Sequence, residues 1–227
     1  MTTVPEPATR SPKAEQTRRT IADAAMRLFR ARGYDKTTMR AIADEAGVSL
    51  GNTYYYFAGK EHLVQAFYDQ MQVLHAEAAA TALDGERSFA GRLRALLDTW
   101  VDVAAPYHGF AGQFFQNAAD PTSPLSPFSA ESAPARQAST GLFRRAVEGS
   151  DLKITPALRA ELPELLWLLH MGVVLFWVHD ASPDQRRTRQ LVAGAVPLVD
   201  RLTRLTRLPG VRGVVDDVLG LVATLRT

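Results

Sequence analysis

From Thr17 onward, the apolar residues of this 227-residue chain recur at three- and four-residue intervals, and no stretch alternates between turn residues as a half-buried strand would. The fold expected is therefore all-α. Ile21, Ala24, Ala25, Leu28 and Phe29 line one face of a first helix that Gly33 stops. Met39, Ile42, Ala43 and Ala46 line a short second helix, capped by Thr37 or Thr38 and closed by Gly47. Ser49 is placed to cap a third, very short helix from Leu50 to about Tyr55, which Ala58 and Gly59 break. Leu63, Phe67, Met71 and Leu74 open the apolar face of a fourth, running to about Ala80. Further helices are expected over Phe89 to Ala105, Tyr107 to Asn117, Ala135 to Glu148, Pro156 to Asp180, Pro183 to Arg207 and Val211 to Leu225. The segment DPTSPLSPFSAESAP, with Pro121, Pro124, Pro127 and Pro134, is too rich in proline for a helix and reads as an ordered loop or a mobile lid.

Charge divides unevenly along this pattern. Residues 10 to 60 hold ten Lys and Arg against five acids, a balance of +5 that leaves −3 for the remainder of a chain whose net charge is +2. Basic excess confined to one small segment suits a polyanion, because neutralising phosphates releases counterions. A merely solvated basic face is the alternative on charge alone. No cysteine is present, which removes disulfides, thiolate metal sites and cysteine nucleophiles and fits a reducing cytoplasm. The longest apolar run, Leu165 to Val178, is broken by His170 and falls short of a bilayer span, so it reads as a buried core helix. The first dozen residues carry three prolines and no apolar core of a secretory signal, and read as a flexible tail.

The segment TTMRAIADEAGVSLGNTYYYF sets two short helices about the turn Ala46-Gly47-Val48-Ser49, an arrangement in which the second can lie in a major groove. Ala43 and Val48 would set the crossing between them. Thr38 and Ser49 stand at helix starts, where a hydroxyl and backbone N–H groups can grip a phosphate together. Arg40, Leu50, Gly51, Asn52, Thr53 and Tyr55 are the candidates for base contact: Asn52 could read adenine, Leu50 could meet a thymine methyl, and Gly51 permits close approach. Other readings stand beside these. Thr53 could face the small core, Arg40 could be only solvated, and Tyr54, Tyr55, Tyr56 and Phe57 could be an ordinary core cluster, Phe57 above all. Lys60, opening the fourth helix, can pair with a phosphate as a point charge.

The stretch from Thr17 to about Met71, TRRTIADAAMRLFRARGYDKTTMRAIADEAGVSLGNTYYYFAGKEHLVQAFYDQM, resembles the tetracycline-repressor family of transcriptional regulators. It carries the helix-one pattern, the Gly33-Tyr34 exit, the threonine-led second helix, the short recognition helix, the Tyr-x-Tyr-Phe ending and the Lys-Glu-x-Leu opening of helix four. The resemblance covers about a quarter of the chain. It implies a DNA-binding domain over 13–60 after a tail over 1–12, and a ligand-binding and dimerisation domain over 61–227. It also implies that Tyr54 and Tyr56 reach the DNA backbone or a thymine methyl.

For the second domain, the resemblance implies a cavity between helices, and the residues proposed for it are Trp100, His108, Phe110, Gln113, Phe114, Phe128, Trp167, His170, Met171 and Phe176. Apolar walls with few polar groups suit an apolar or aromatic small molecule. The plainer reading is that such aromatics simply build a core. The helix from Pro156 to Asp180 is apolar almost all round, which one partner surface cannot satisfy. The resemblance implies a homodimer through Leu165 to Val178 and Leu191 to Leu205, holding two recognition helices on a palindrome. The function expected is a repressor of double-stranded operator DNA released by a small ligand; a ligand-dependent activator and a constitutive DNA-binding protein are the alternatives. An enzyme is the remote one: no glycine-rich phosphate loop, nucleophile elbow or catalytic triad is apparent. His108, His170 and His179 lack the pairing that zinc requires, so no cofactor is expected beyond an effector of unknown identity.

Overall fold

The computed structural model describes residues 11–120 and 122–206 and, beyond them, positions 208, 210, 213, 217 and 220; the side chains of Phe110, Gln113, Gln116 and Asn117 lie outside the description. The helix expected over Val211 to Leu225 falls largely outside the described residues. Among those described, all regular structure is helical: α1 (Pro12–Arg32), α2 (Met39–Ala46), α3 (Leu50–Tyr56), α4 (Lys60–Leu83), α5 (Phe89–Ala104), α6 (His108–Ala119), α7 (Ala133–Glu148), α8 (Pro156–Val178) and α9 (Arg186–Leu205), with 3₁₀ turns at Ala105–Tyr107 and Pro183–Gln185. The chain forms two compact units that divide between Tyr68 and Asp69, eight residues beyond the boundary expected at the start of α4.

In the first unit, α1 begins earlier than its apolar pattern. Ser11 caps it, its hydroxyl accepting from Ala14 N, and Pro12 fills a first-turn position where its missing N–H costs nothing. This opening turn is polar and solvated, so apolar spacing could not reveal it. Gly33, at φ 85°, ends the helix with its N–H donating to Phe29 O. Of the two threonines, Thr38 is the cap of α2, accepting from Ala41 N at 3.2 Å, while buried Thr37 donates to Gly33 O at 2.7 Å. Gly47 closes α2 in the left-handed conformation at φ 68°. Ile21, Ala24, Ala25, Phe29, Ile42, Ala43, Phe57 and Leu63 form the core.

In the second unit, α5, α7, α8 and α9 close around Phe89, Leu93, Leu96, Leu97, Leu142, Phe143, Leu166 and Val192. Arg92 is buried against them. Its guanidinium donates to the Leu83, Glu86, Ala146 and Arg145 carbonyls, joining the ends of α4 and α7 to α5. In the described part of the proline-rich segment, backbone turns link Asp120, Ser123, Ser126 and Ser129, and Arg136 donates to the Pro127 and Ser129 carbonyls. Pro134 belongs to the first turn of α7 rather than to the loop.

The helix expected from Pro183 starts only at Arg186, because Asp184 and Gln185 adopt left-handed φ of 53° and 50°. Buried Asp180 holds this corner, accepting from Ser182 and Thr188 through both backbone N–H and hydroxyl. Burial would raise its pKa, but these four hydrogen bonds outweigh that and hold it below the ordinary carboxylate range. The expectation of a buried α8 needs correction. By length and composition α8 passes as a bilayer span, yet it buries Leu158, Leu162, Leu166, Trp167, Val173 and Trp177 and leaves Leu168, Leu175 and Phe176 exposed.

Candidate nucleic-acid interface and effector cluster

The α2–α3 pair is built by its caps. Val48 N donates to Ala43 O at 3.0 Å, drawing the chain back across the end of α2, and the Ser49 hydroxyl accepts from Asn52 N at 3.1 Å to start α3. Thr53 faces inward, fully buried, with its hydroxyl donating to Ser49 O at 3.2 Å; of its two readings, the core one holds in this structure. Phe57 is likewise core, with the Arg18 guanidinium 5.0 Å from its ring centroid. Tyr54 and Tyr55 point the other way and are 50% and 81% exposed, so neither belongs to a core cluster. Tyr56, half-buried, meets Tyr55 edge-on at 5.1 Å. Gly51, Arg40, Thr38 and Ser49 are exposed, Leu50 and Asn52 half-exposed. The outward side of α3 thus carries Gly51, Tyr54 and Tyr55, and a Cβ at Gly51 would meet nothing within 4 Å. Glycine there keeps the helix surface low, as close approach to a base edge requires.

Lys60 is engaged within its own unit. Its ammonium donates to Tyr34 O at 2.8 Å and lies 4.2 Å from the Tyr34 ring centroid, while Tyr34 Oη donates to Glu61 at 3.0 Å. Burial first, and then the Glu61 carboxylate, push the Tyr34 pKa upward. An ammonium has three N–H bonds, so a phosphate contact from Lys60 extends this arrangement rather than replacing it.

The second unit holds a different constellation. His170 lies 4.9 Å from Trp100, 5.7 Å from Phe143 and 6.2 Å from His75, ring centroid to centroid. Trp100 meets Trp177 at 5.1 Å, and Trp177 meets His108 at 4.8 Å. Burial, and then the neighbouring His75, lower the His170 pKa to about 3, and burial lowers that of His75. Both rings are neutral at pH 7. Among the described residues, five buried polar atoms on α4, α7 and α8 have no hydrogen-bond partner: Gln72 Oε1, His75 Nδ1, Ser139 Oγ, His170 Nδ1 and Trp177 Nε1. Each such orphan costs about 1–3 kcal/mol, and nine in ten buried polar groups avoid that cost.

The structure brings together Trp100, His108 and His170 of the residues expected to bind a ligand. Phe114 is buried, and half-buried Met171 packs against the main core. Trp167 is buried, with Phe128 resting on it at 5.5 Å and otherwise 66% exposed. Phe176 is exposed on the outer side of α8 rather than among the clustered rings. The expectations for the Phe110 and Gln113 side chains fall outside the described residues. Gln72, His75, Ser139 and Trp177 of this constellation are not among the residues expected from sequence. The apolar face of α4 had been read through Leu74, but Leu63, Phe67, Met71, His75 and Ala79 follow a strict four-residue step; His75 is buried and Leu74 exposed. That step was the signal for His75. Ser139, one turn before Phe143, offered none.

Comparison with known proteins agrees with this layout. Residues 21–67 match the model for bacterial regulatory proteins of the tetR family, and residues 92–221 match a tetracyclin repressor-like C-terminal domain. The chain belongs to the TetR family. The HTH-type transcriptional regulator TtgR of Pseudomonas putida is 40% identical over 86 residues, which are 37% of this chain and 41% of that protein. The match thus spans about two-fifths of the curated relative's length. A TetR regulator from Nitrosomonas europaea superposes with a TM-score of 0.61 at 21% identity, over 81% of this chain and 97% of that one. A Thermus thermophilus FadR, a TetR-family repressor in complex with lauroyl-CoA, gives 0.56 at 22% identity, over 79% and 92%. These two likenesses establish the fold of a TetR-family chain, and the residues described above individualise it.

Proposed function

We propose that this protein is a dimeric transcriptional repressor that grips palindromic operator DNA through α3 and is released by a small ligand held in its second unit. The observation that carries the DNA-binding half is the outward side of α3, where Gly51, Tyr54 and Tyr55 stand clear of the core, together with the capped helix starts at Thr38 and Ser49. Those caps present unused backbone N–H groups to phosphate, and the α3 side chains reach base edges.

The dimer rests on a second observation. Leu191, Leu198, Leu202 and Leu205 on α9, with Leu168, Leu175 and Phe176 on α8, are exposed apolar residues at helical spacing. A second copy would cover them and set two recognition helices about 34 Å apart, one turn of DNA. Release requires the ligand to favour a different arrangement of α4, which begins at Lys60 in the first unit and carries Gln72 and His75 in the second. A tenfold loss of operator affinity needs about 1.4 kcal/mol of such preference, and complete switching about 5.5.

Selection from a random double-stranded DNA pool at fixed salt tests this reading. The full chain is expected to enrich an inverted repeat, and a Tyr54→Ala, Tyr55→Ala variant of equal thermal stability to enrich none. Failure of the wild type to enrich any sequence would remove the operator-binding claim. Light scattering tests the dimer: Leu198→Glu with Leu202→Glu is expected to yield a monomer that has lost the inverted-repeat preference.

A further inference from the structure

The orphaned polar atoms of the second unit specify what its ligand must carry. His75 Nε2 lies 2.9 Å from Leu96 O, and a carbonyl oxygen only accepts, so Nε2 bears the proton. The ring is neutral, which leaves His75 Nδ1 as a bare acceptor. Gln72 Oε1, three residues earlier on the same side of α4, is an acceptor as well. Trp177 Nε1–H is donor only, and the Ser139 hydroxyl both donates and accepts. The ring contacts join His75, His170, Trp100 and Trp177 into one continuous group, with Phe143 against His170 and Ser139 one turn before it on α7. The unmet needs of this group are therefore mixed: acceptors that want a proton and donors that want a lone pair.

Charge is equally informative. The residues of this group include no Lys, Arg, Asp or Glu, and its two buried histidines stay neutral at pH 7. The one buried Lys or Arg among the described residues, Arg92, donates to four carbonyls. A carboxylate or phosphate brought among these rings would lose its water and would gain a counter-charge only by protonating a buried histidine against the burial that disfavours its charged form. A hydroxyl group can meet either need, donating to His75 Nδ1 or Gln72 Oε1 or accepting from Trp177 Nε1 or Ser139, while an apolar body meets the rings.

We infer that Gln72, His75, Ser139, His170 and Trp177 form the polar end of the effector site, and that the effector is an uncharged, hydroxyl-bearing apolar molecule, an alcohol or phenol rather than an acid. This rests on the reading that the second unit binds the effector, but not on DNA release.

Calorimetric titration of the full chain near neutral pH, without DNA, tests it with matched pairs: naphthol and naphthoate, phenylphenol and biphenyl carboxylate, octanol and octanoate. For the tightest-binding scaffold the hydroxyl member is expected to bind at least about tenfold more tightly than its carboxylate. Equal or tighter binding of the carboxylate, or binding by no hydroxyl member, overturns the inference. Ser139→Ala and Trp177→Phe each delete one orphan and are expected to weaken the hydroxyl probe by about tenfold, Ser139→Ala without lowering the melting temperature. A lowered melting temperature with unchanged affinity would instead mean that these atoms are held by buried water and serve only the fold. A hydroxyl probe that binds as expected yet leaves operator binding unchanged would keep this inference and overturn the release mechanism alone.

Discussion

The two units differ in how completely they satisfy their buried polar groups. In the first, the buried hydroxyls of Thr37 and Thr53 each donate to a carbonyl four residues back, and the cap hydroxyls of Thr38 and Ser49 accept from N–H groups three residues on. In the second, His75, Ser139, His170 and Trp177 are buried with an atom left unmatched on each. A short helical unit with its inner polar groups satisfied is finished inside and offers its chemistry outward. A larger one that keeps unmatched groups among aromatic rings is finished only when something enters. Under the proposed function, recognition of a large, rigid polymer and of a small molecule would pull the same chain toward these two solutions.

The contrast can be broken most forcefully at Arg92, where a buried cation in the second unit donates to four carbonyls. Arg92→Leu strands four carbonyls at the ends of α4 and α7, and is expected to cost about 4 kcal/mol in denaturant unfolding. A loss under about 1 kcal/mol would mean that the orphans nearby are as cheap as these carbonyls, and the contrast would fail.

Next comes acid. The His170 pKa is lowered in the folded protein, so the unfolded chain takes up the proton first, and the stability owed to the neutral ring is present above pH 6.5. It is lost as the pH falls toward 3, by about 1.4 kcal/mol per pH unit from this ring alone. Unfolding midpoints between pH 7 and 4.5 are expected to fall less steeply in His170→Gln. Parallel slopes would show that water already reaches the ring.

Asp180 supplies a smaller effect in a lower window. Its folded pKa is depressed, so its contribution is complete above the ordinary carboxylate pKa and disappears as the pH drops below it. Asp180→Asn keeps the shape but loses charge-assisted bonds to Ser182 and Thr188, with an expected cost near neutral pH of about 2 kcal/mol. The variant should also lose the acid-sensitive part of the unfolding curve that belongs to this corner. The smallest change is in the first unit: Thr38→Ala removes one cap, expected to cost about 1 kcal/mol. Titration of the selected operator should show weaker binding, while the second unit's ligand affinity is unchanged.

What could be read from sequence followed chemical locality. The caps at Thr38 and Ser49, the stop at Gly47 and the run of short helices rest on residues within one turn of each other, where backbone preference and apolar spacing speak directly. The first turn of α1 carries no such signal because Ser11, Pro12 and Lys13 face solvent and the turn has no apolar period. Leu74 was placed inside because it is apolar, and His75 was passed over because it is not. Summed over five turns, the four-residue step reverses both.

By itself, then, the sequence determined an all-helical chain, the position of its α2–α3 motif and the basic segment that suits DNA, because each depends on neighbours along the chain. Tertiary structure decided which of Thr53, Tyr54 and Tyr55 faces out, that Phe176 lies on an open face of α8, and that His75, Ser139 and Trp177 share unmet hydrogen bonds with His170. Residues tens of positions apart meet only when helices pack, and a polar atom is orphaned only by what surrounds it in space.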